Sequence, residues 1–369
     1  MMKMRTASAP ATPQQGALPK TMRALVKERA GPGMSLREVP VPSYGPTDVL
    51  IRVRKAGICG TDGHIWEWDK WAQSRIVPPL IVGHEFMGVV AAVGSAVRGV
   101  SVGERVSAEG HVVDGTCLLC RTGQANLCER VQVIGVDRDG CFADYIAMPE
   151  GNVWRLDPAV PDDWAAVFDP LGNAVHTVMT ADVSTKSVVI TGVGSIGLMA
   201  IPVARAAGAA KVIAIDVNPK KLELARSLGA DEVFDSRTPG VREQVLALTN
   251  GDGADVLLEM SGNGAALDLG LSTVRNGGRA ALLGLPSDTV NIKLAEHIIF
   301  KGLTVFGVFG RKMFETWYQM QALVKSKRID LAPIITHVLP LERFEECFAM
   351  LKAGSAVKIV MDVAGTTSP

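Results

Sequence analysis

The sequence predicts an α/β protein with a β-rich, barrel-like domain and a second domain built on a doubly wound parallel sheet. Two observations support this fold class. In residues 22–106, short apolar segments are separated by Gly and Pro rather than by long helical patterns, which favours antiparallel strands. From about Leu171 onward, strand and helix patterns alternate, which is typical of a parallel sheet. The 369 residues suffice for two domains.

The composition indicates which kinds of molecule the protein does and does not bind. Lys and Arg total 38 and so do Asp and Glu, and this balance argues against a nucleic-acid partner. The sequence has no apolar run typical of a membrane helix and no secretory signal, so we expect a cytoplasmic protein that acts on a small molecule. Three of its six cysteines lie within twelve residues, and clustered thiols in such a protein indicate metal binding rather than disulfides.

The first domain is predicted to follow a disordered N-terminal extension. Residues 1–21 are rich in Ala, Pro, Thr and Gln, lack acidic residues and show no periodicity, so we expect them to be disordered. Residues 22–172 are predicted to form the β-rich domain. Residues 310–369, which contain one long helical pattern and a final strand pattern, are predicted to return to it.

The second domain, residues 173–309, contains a glycine-rich turn in the context that a dinucleotide requires. An apolar strand pattern ends at Thr191, and Gly192, Gly194 and Gly197 then lead into an Ala-rich helix. Such glycines permit a tight turn, close approach of a pyrophosphate and close packing of helix on strand. Asp216 ends the next strand pattern, where a carboxylate would bind ribose hydroxyls and repel a 2′-phosphate. This pattern favours NAD over NADP, and an ordinary strand–helix turn is the alternative.

Two stretches of the first domain combine metal-binding side chains. Cys59 and His84 supply a thiol and an imidazole, and a carboxylate completes the three protein ligands of a catalytic zinc site. Glu85 or Asp169 could be that carboxylate. Because Glu85 follows His84 directly, their side chains would diverge in extended backbone, so one of them could be replaced at the metal by water. The alternative is a buried Cys beside a structural His-Glu pair.

A second cluster predicts a structural zinc site. It consists of Asp114, Cys117, Cys120 and Cys128, and zinc accepts carboxylate oxygen as well as thiolate. The alternative is a lobe of the same shape without metal. Cys141 and Cys347 lie outside both clusters and are predicted to be core residues.

Longer motifs resemble one family. The strings GICGTD, VGHE and VGSIG, with the cysteine-rich segment between them, resemble the zinc-dependent medium-chain dehydrogenases from Met22 to about Val363. Within them, the stretches GICGTDGHIWEWDKW, FDPLGNAVHT, GRKMFETWYQM and IDLAPIITH resemble the L-threonine 3-dehydrogenase family. The resemblance implies a GroES-like catalytic domain, a Rossmann domain and a homotetramer. It also implies oxidation of the 3-hydroxyl of L-threonine to 2-amino-3-oxobutanoate with NAD.

The resemblance also implies roles for single residues. Cys59, His84 and Glu85 match the ligands of the catalytic zinc, and Thr61 and His64 match a proton relay. Asp169 matches a position needed for catalysis, and His111 matches a histidine that influences substrate choice. The matching cofactor contacts are Ile196, Asp216, Lys221, Leu283, Gly284, Leu285, Val308 and Phe309.

One metal-ligand position departs from the family pattern, and two other functions also fit the sequence. Asp114 stands where the structural lobe of the family carries a fourth cysteine, so the lobe could bind zinc weakly or not at all. Another zinc-dependent alcohol or polyol dehydrogenase, of the sorbitol or butanediol type, is the first alternative function. A non-catalytic nucleotide-binding protein on the same fold is the second.

Overall fold

The computed structural model describes residues 18–286 and 288–365. The disorder predicted for residues 1–21 falls mainly on residues 1–17, which lie outside the described residues. The first strand begins at Thr21, one residue inside the predicted extension.

The β-rich part of the chain combines three sheets with short helices. Its strands are β1 (Thr21–Lys27), β2 (Ser35–Pro40), β3 (Asp48–Gly57), β4 (Leu80–Ile81), β5 (Glu85–Val93), β6 (Arg105–Ala108), β7 (His111–Val112), β8 (Gln132–Val133), β9 (Tyr145–Pro149) and β10 (Val153–Arg155). Its helices are α1 (Gly60–Glu67), α2 (Lys70–Arg75), α3 (Leu118–Arg121) and α4 (Asp162–Ala165).

The remaining elements form the parallel sheet and the return to the first domain. The helices are α5 (Phe168–Ala181), α6 (Ser195–Ala206), α7 (Pro219–Ser227), α8 (Val241–Leu248), α9 (Gly264–Thr273), α10 (Glu315–Lys325) and α11 (Phe344–Ala353). The strands are β11 (Ser187–Thr191), β12 (Lys211–Asp216), β13 (Glu232–Asp235), β14 (Ala254–Glu259), β15 (Val274–Leu282), β16 (Thr304–Gly307), β17 (Ile335–Pro340) and β18 (Lys358–Asp362).

The parallel sheet has the strand order of a dinucleotide-binding domain. The order is β13-β12-β11-β14-β15-β16, so the direction of winding reverses between β11 and β14. A ligand binds at this kind of reversal, outside the carboxyl ends of the strands. The apolar run of β11 is buried along four of its five residues, as expected for a central parallel strand covered on both faces. The doubly wound sheet predicted from the alternation is confirmed.

The largest sheet of the β-rich part is mainly antiparallel and includes strands distant in sequence. Its order is β10-β6-β5-β3-β18-β17, and β9 also pairs with β3. The two strands β17 and β18 come from beyond the parallel sheet and run parallel to each other, while β18 is antiparallel to β3. The antiparallel, barrel-like β domain that we predicted is therefore confirmed, with a contribution from the C-terminal segment.

Helix α5 connects the two parts. It packs against α6 and α10 and against strand β5 of the β-rich sheet. Its first turn carries Asp169, while most of the remaining helix is buried in the core shared with the parallel sheet. In residues 18–286 and 288–365, no helix combines the length and apolarity needed to cross a membrane.

Candidate active site

Cys59 lies between β3 and α1, at the N-cap position of that helix. Its backbone N–H donates to Asp62 Oδ2 over 2.8 Å, which fixes the first turn. Its Sγ lies 3.8 Å from Thr61 Oγ1. The Gly-Ile-Cys-Gly-Thr-Asp sequence therefore presents a partly exposed thiol beside a hydroxyl at the start of a helix.

His84 and Glu85 follow a turn that only glycine can make. Gly83 has φ +96°, and a Cβ there would lie 2.2 Å from the ring of Phe142. The turn brings His84 to the start of β5, where its side chain is 8% exposed, and Glu85 is the first residue of the strand.

The structure brings the three predicted ligands together. One donor atom each from Cys59, His84 and Glu85 lies within 4.8 Å of the others. The divergence expected for adjacent side chains in extended backbone does not separate these donors, and His84 lies one residue before the start of β5. Thiolate, imidazole and carboxylate together form a donor set that suits zinc and leaves a fourth position open. The residues present therefore fit a catalytic zinc ion.

The carboxylate of Asp62 lies beside the imidazole of His84. This carboxylate is fully buried, and Oδ1 lies 3.6 Å from His84 Nδ1. Burial alone would lower the pKa of His84, but the negative charges of Asp62 and Cys59 raise it to about 10 in the absence of metal. At this separation Asp62 Oδ1 and His84 Nδ1 are buried without a hydrogen-bond partner, so the contact between them is one of charge. A carboxylate beside a histidine ligand is the arrangement found at many metal sites.

Lys358 of β18 supports Glu85. Its ammonium lies 2.6 Å from the Glu85 carboxylate, donates to the carbonyl of Ile58 over 2.7 Å, and is 1% exposed. Burial raises the pKa of Glu85, and the positive charge of Lys358 opposes that shift. Gly57 makes room for the pair, because a Cβ there would lie 2.3 Å from Glu85 Oε2.

A buried ion network joins His111 to Asp169. The guanidinium of Arg311, 1% exposed, forms ion pairs with Glu109 and with Asp169. Glu109 in turn accepts from His111 Nδ1 over 2.7 Å and from Trp317 Nε1 over 2.9 Å. Although burial opposes it, the charge of Arg311 and the contact with His111 hold the pKa of Glu109 well below its usual range. The network therefore links His111 and Asp169, two residues with predicted catalytic roles, through Glu109 and Arg311.

His64 is directed to the surface rather than into the core. Its side chain is 53% exposed, and its Nδ1 lies 2.6 Å from Asp69 Oδ2. Thr61 and His64 are three residues apart on α1, so they share one face of the helix. The pair therefore extends from the metal-ligand cluster at Cys59 toward solvent.

The glycine-rich turn has the geometry that a pyrophosphate needs. Gly192 has φ +84°, and a Cβ at Gly197 would lie 2.1 Å from Gly192 O, so both positions require glycine. Nothing lies within 4 Å of a Cβ built at Gly194, which leaves that side of the turn open. Asp216 Oδ2 accepts from Val193 N over 2.8 Å, which holds the carboxylate beside the turn. These residues fit a dinucleotide at the N-terminus of α6.

The other predicted cofactor residues surround the same edge of the sheet. Ile196 lies in the first turn of α6, and Lys221 lies in the first turn of α7. Leu283, Gly284 and Leu285 follow the end of β15, and Val308 and Phe309 follow the end of β16.

The second predicted metal cluster also assembles. Donor atoms of Asp114, Cys117, Cys120 and Cys128 lie within 4.8 Å of one another. Cys117 Sγ is 3.9 Å from Cys128 Sγ, and Asp114 Oδ1 is 3.6 Å from Cys120 Sγ. Zn–S bonds of about 2.3 Å in a tetrahedron place ligand sulfurs about 3.8 Å apart. The donor spacing therefore fits a zinc ion, although Asp114 also pairs with Arg130.

The sequence interpretation missed several residues that hold this site together. Asp62 is part of the GICGTD motif, and Arg311 is part of the stretch GRKMFETWYQM, but neither motif indicates what these side chains contact. Glu109 lies two residues before His111, but its ion pair with Arg311 spans 202 residues, and the pair of Lys358 with Glu85 spans 273 residues. Sequence patterns do not show ion pairs over such distances. Cys141 and Cys347 are buried in the core of the first domain, as predicted.

Sequence comparisons with known proteins agree with the zinc and dinucleotide sites described above. A family described as "Alcohol dehydrogenase GroES-like domain" matches residues 45–158, and one described as "Zinc-binding dehydrogenase" matches residues 195–326. An L-threonine 3-dehydrogenase of Bacillus licheniformis is 48% identical over 92% of this chain and 98% of its own length. Another from Symbiobacterium thermophilum is 47% identical over 93% of this chain and 98% of its own.

Solved structures of lower identity share the whole fold. An alcohol dehydrogenase from Thermus sp. ATN1 superposes with a TM-score of 0.86 at 33% identity, covering 93% of this chain and 100% of its own. A 2R,3R-butanediol dehydrogenase from Bacillus subtilis gives a TM-score of 0.84 at 26% identity, covering 93% of this chain and 99% of its own.

Proposed function

Because this chain belongs to the L-threonine 3-dehydrogenase family of zinc-dependent dehydrogenases, we propose that it oxidises the 3-hydroxyl of L-threonine to 2-amino-3-oxobutanoate. The hydride acceptor is NAD. The observation that carries the proposal is the cluster of Cys59, His84 and Glu85, whose donor atoms lie within 4.8 Å of one another. The same chain also has the glycine-rich turn that fits a dinucleotide.

The three ligand residues would hold the catalytic zinc ion, with Asp62 and Lys358 fixing the orientation of His84 and Glu85. When bound, zinc supplies Lewis-acid polarisation of the substrate hydroxyl, and NAD supplies the hydride acceptor. Asp216 favours NAD because a 2′-phosphate would meet its negative charge.

Thr61 and His64 would carry the hydroxyl proton away from the substrate. The Thr61 hydroxyl both donates and accepts, so it can pass a proton without holding a charge. His64 can accept the proton and release it to water, because its side chain is 53% exposed.

The ammonium group of the substrate needs an anionic partner, and Asp169 suits this role better than Glu85. The Glu85 side chain is fully buried against Lys358, whereas the Asp169 side chain is 14% exposed. Arg311 pairs with Asp169 Oδ2, and this contact orients the carboxylate. His111 lies in the same network, where it would line the substrate site.

We also propose that the protein is a cytoplasmic homotetramer. Thiols that serve as metal ligands must stay reduced, which supports a reducing compartment. The edge strand β16 exposes Val305, and the preceding segment exposes Leu294, Ile299 and Phe300 at 58%, 62% and 76%. An apolar edge of this kind supports association between copies of the chain. Light scattering coupled to size-exclusion chromatography measures the number of chains.

The deciding experiment follows NADH formation with L-threonine, before and after removal of metal by a chelator. We expect turnover that disappears with the metal and returns with added zinc. Sorbitol, 2,3-butanediol and ethanol are the matched controls, and each should react more slowly than threonine. Equal or faster turnover of the polyols would contradict the substrate assignment, and nucleotide binding without NADH on any alcohol would contradict the enzyme assignment.

A further inference from the structure

His64 is held by a carboxylate that comes from the next helix. Its Nδ1 lies 2.6 Å from Asp69 Oδ2, and the ring of Trp71 lies beside it at a centroid distance of 6.1 Å. Both side chains of the pair reach solvent, with 53% exposure for His64 and 37% for Asp69. The pair therefore stands at the surface end of the predicted proton relay.

The position of Asp69 is fixed by the backbone on both sides. Trp68 has φ +58°, which ends α1 with a left-handed residue and turns the chain back over the helix. The Asp69 N–H then donates to the His64 carbonyl over 3.3 Å. Its Oδ1 accepts from Ala72 N over 3.0 Å and caps α2. With one oxygen used by the cap, the other oxygen is directed at the imidazole.

We propose that Asp69 is a positioning residue of the proton relay, which accepts the Nδ1–H of His64 and so leaves Nε2 free to take the substrate proton. The inference rests on the proposed function. An ionised carboxylate only accepts hydrogen bonds, so the ring nitrogen that faces it carries the proton. The other nitrogen then has its lone pair available, which is the form that a proton acceptor requires.

The proton transfer is balanced at each atom. The O–H bond of the substrate hydroxyl breaks, and a proton that enters the relay at Thr61 ends in a new N–H bond at His64 Nε2. The Asp69 carboxylate keeps accepting the Nδ1–H while Nε2 gains its proton, and it does not itself become protonated. Nε2 then gives its proton to water or to a base dissolved in the buffer, because the side chain is 53% exposed.

The other charged groups around His64 do not offer the same contact. Glu67, on the same helix, pairs with Lys352 of α11 over 3.0 Å. Helix α11 packs against α1, and Lys70 begins α2. Among the described hydrogen bonds of the His64 ring, Asp69 is the partner. Glu67 is therefore a matched control, a carboxylate three residues from His64 that is engaged elsewhere.

The test is the variant Asp69→Asn in the zinc-loaded enzyme. An Asn oxygen can still cap α2, but its NH₂ group would then face Nδ1 and move the ring proton to Nε2. We expect kcat with threonine to fall about 10- to 100-fold, as for loss of a hydrogen bond to a charged group. The KM for NAD should stay unchanged, and high concentrations of imidazole buffer should restore much of the rate. Glu67→Gln should leave rate and buffer dependence unchanged.

A second variant separates positioning from folding. Asp69→Ser keeps a capping oxygen but cannot reach the ring, and we expect the same loss and the same rescue by imidazole. An unchanged rate in both variants, or a loss that imidazole does not restore in folded, zinc-loaded protein, would overturn the proposal for Asp69. Failure of the wild-type enzyme to form NADH from threonine would instead overturn the proposed function.

Discussion

Removing Arg311 should destabilise the protein far more than removing an arginine at the surface. Arg311 is 1% exposed and pairs with Glu109, which is fully buried, and with Asp169, which is 14% exposed. In the variant Arg311→Met, both carboxylates lose their cationic partner, and only His111 and Trp317 still contact Glu109. Breaking a buried pair by removing one partner costs about 3 to 5 kcal/mol.

The assay is thermal unfolding of the zinc-loaded enzyme, followed by tryptophan fluorescence because Trp317 lies in the network. A decrease of this size in the free energy of unfolding should lower the midpoint temperature of unfolding by about 5 to 15 °C. Arg237→Met is the control, since Arg237 pairs with Asp235 at 66% exposure, and loss of such a surface pair should leave the midpoint nearly unchanged. Turnover with threonine should fall as well, because His111 and Asp169 lose their common support.

The double variant Glu109→Gln, Arg311→Met tests the physical reason. If Arg311→Met destabilises the protein because the buried Glu109 carboxylate loses its counter-charge, neutralising Glu109 should restore part of the stability. The stability changes of the two substitutions should then not be additive. A double variant less stable than Arg311→Met, or a single variant within about 1 kcal/mol of the wild type, would refute the reasoning.

Three further predictions concern the metal sites. Cys59→Ser should abolish NADH formation but leave NAD affinity near normal by calorimetry, because the dinucleotide turn lies in the other domain; loss of both would make Cys59 structural. Asp114→Cys should slow zinc release to a chelator by completing four thiolates, measured as metal retained over time; equal release rates would argue against Asp114 as a ligand. Lys358→Met should lower the melting midpoint more in zinc-stripped than in zinc-loaded enzyme, because zinc places a positive charge beside Glu85. Equal losses in the two forms would contradict that account.

The fold could be predicted from the sequence because its signals are local. The apolar run ending at Thr191, the glycines after it and the acid at Asp216 define one strand–turn–helix–strand unit. The structure adds the order of the strands and the pairing of β18 with β3. That pairing depends on packing between segments 300 residues apart, for which hydrophobic periodicity contains no information.

The candidate site was predictable to the extent that its donors occur in short motifs. Cys59, His84 and Glu85 belong to such motifs, and the structure brings them together. The residues that orient them are harder to find, because a Lys or an Asp with an ordinary side chain becomes informative only when its burial and partner are known. The rule that adjacent side chains diverge applies inside a strand, and His84 lies one residue before β5, so the rule could not decide whether both residues face one metal.

The pairing of β18 with β3 has a consequence for the order in which the protein can be completed during synthesis. The segment from β11 to β16 is continuous in sequence, so it can pack as soon as it has left the ribosome. Glu85 meets its counter-charge only when Lys358 arrives, 273 residues later. All strands of the parallel sheet are therefore synthesised before the C-terminal segment that supplies the counter-charge of the metal-ligand cluster.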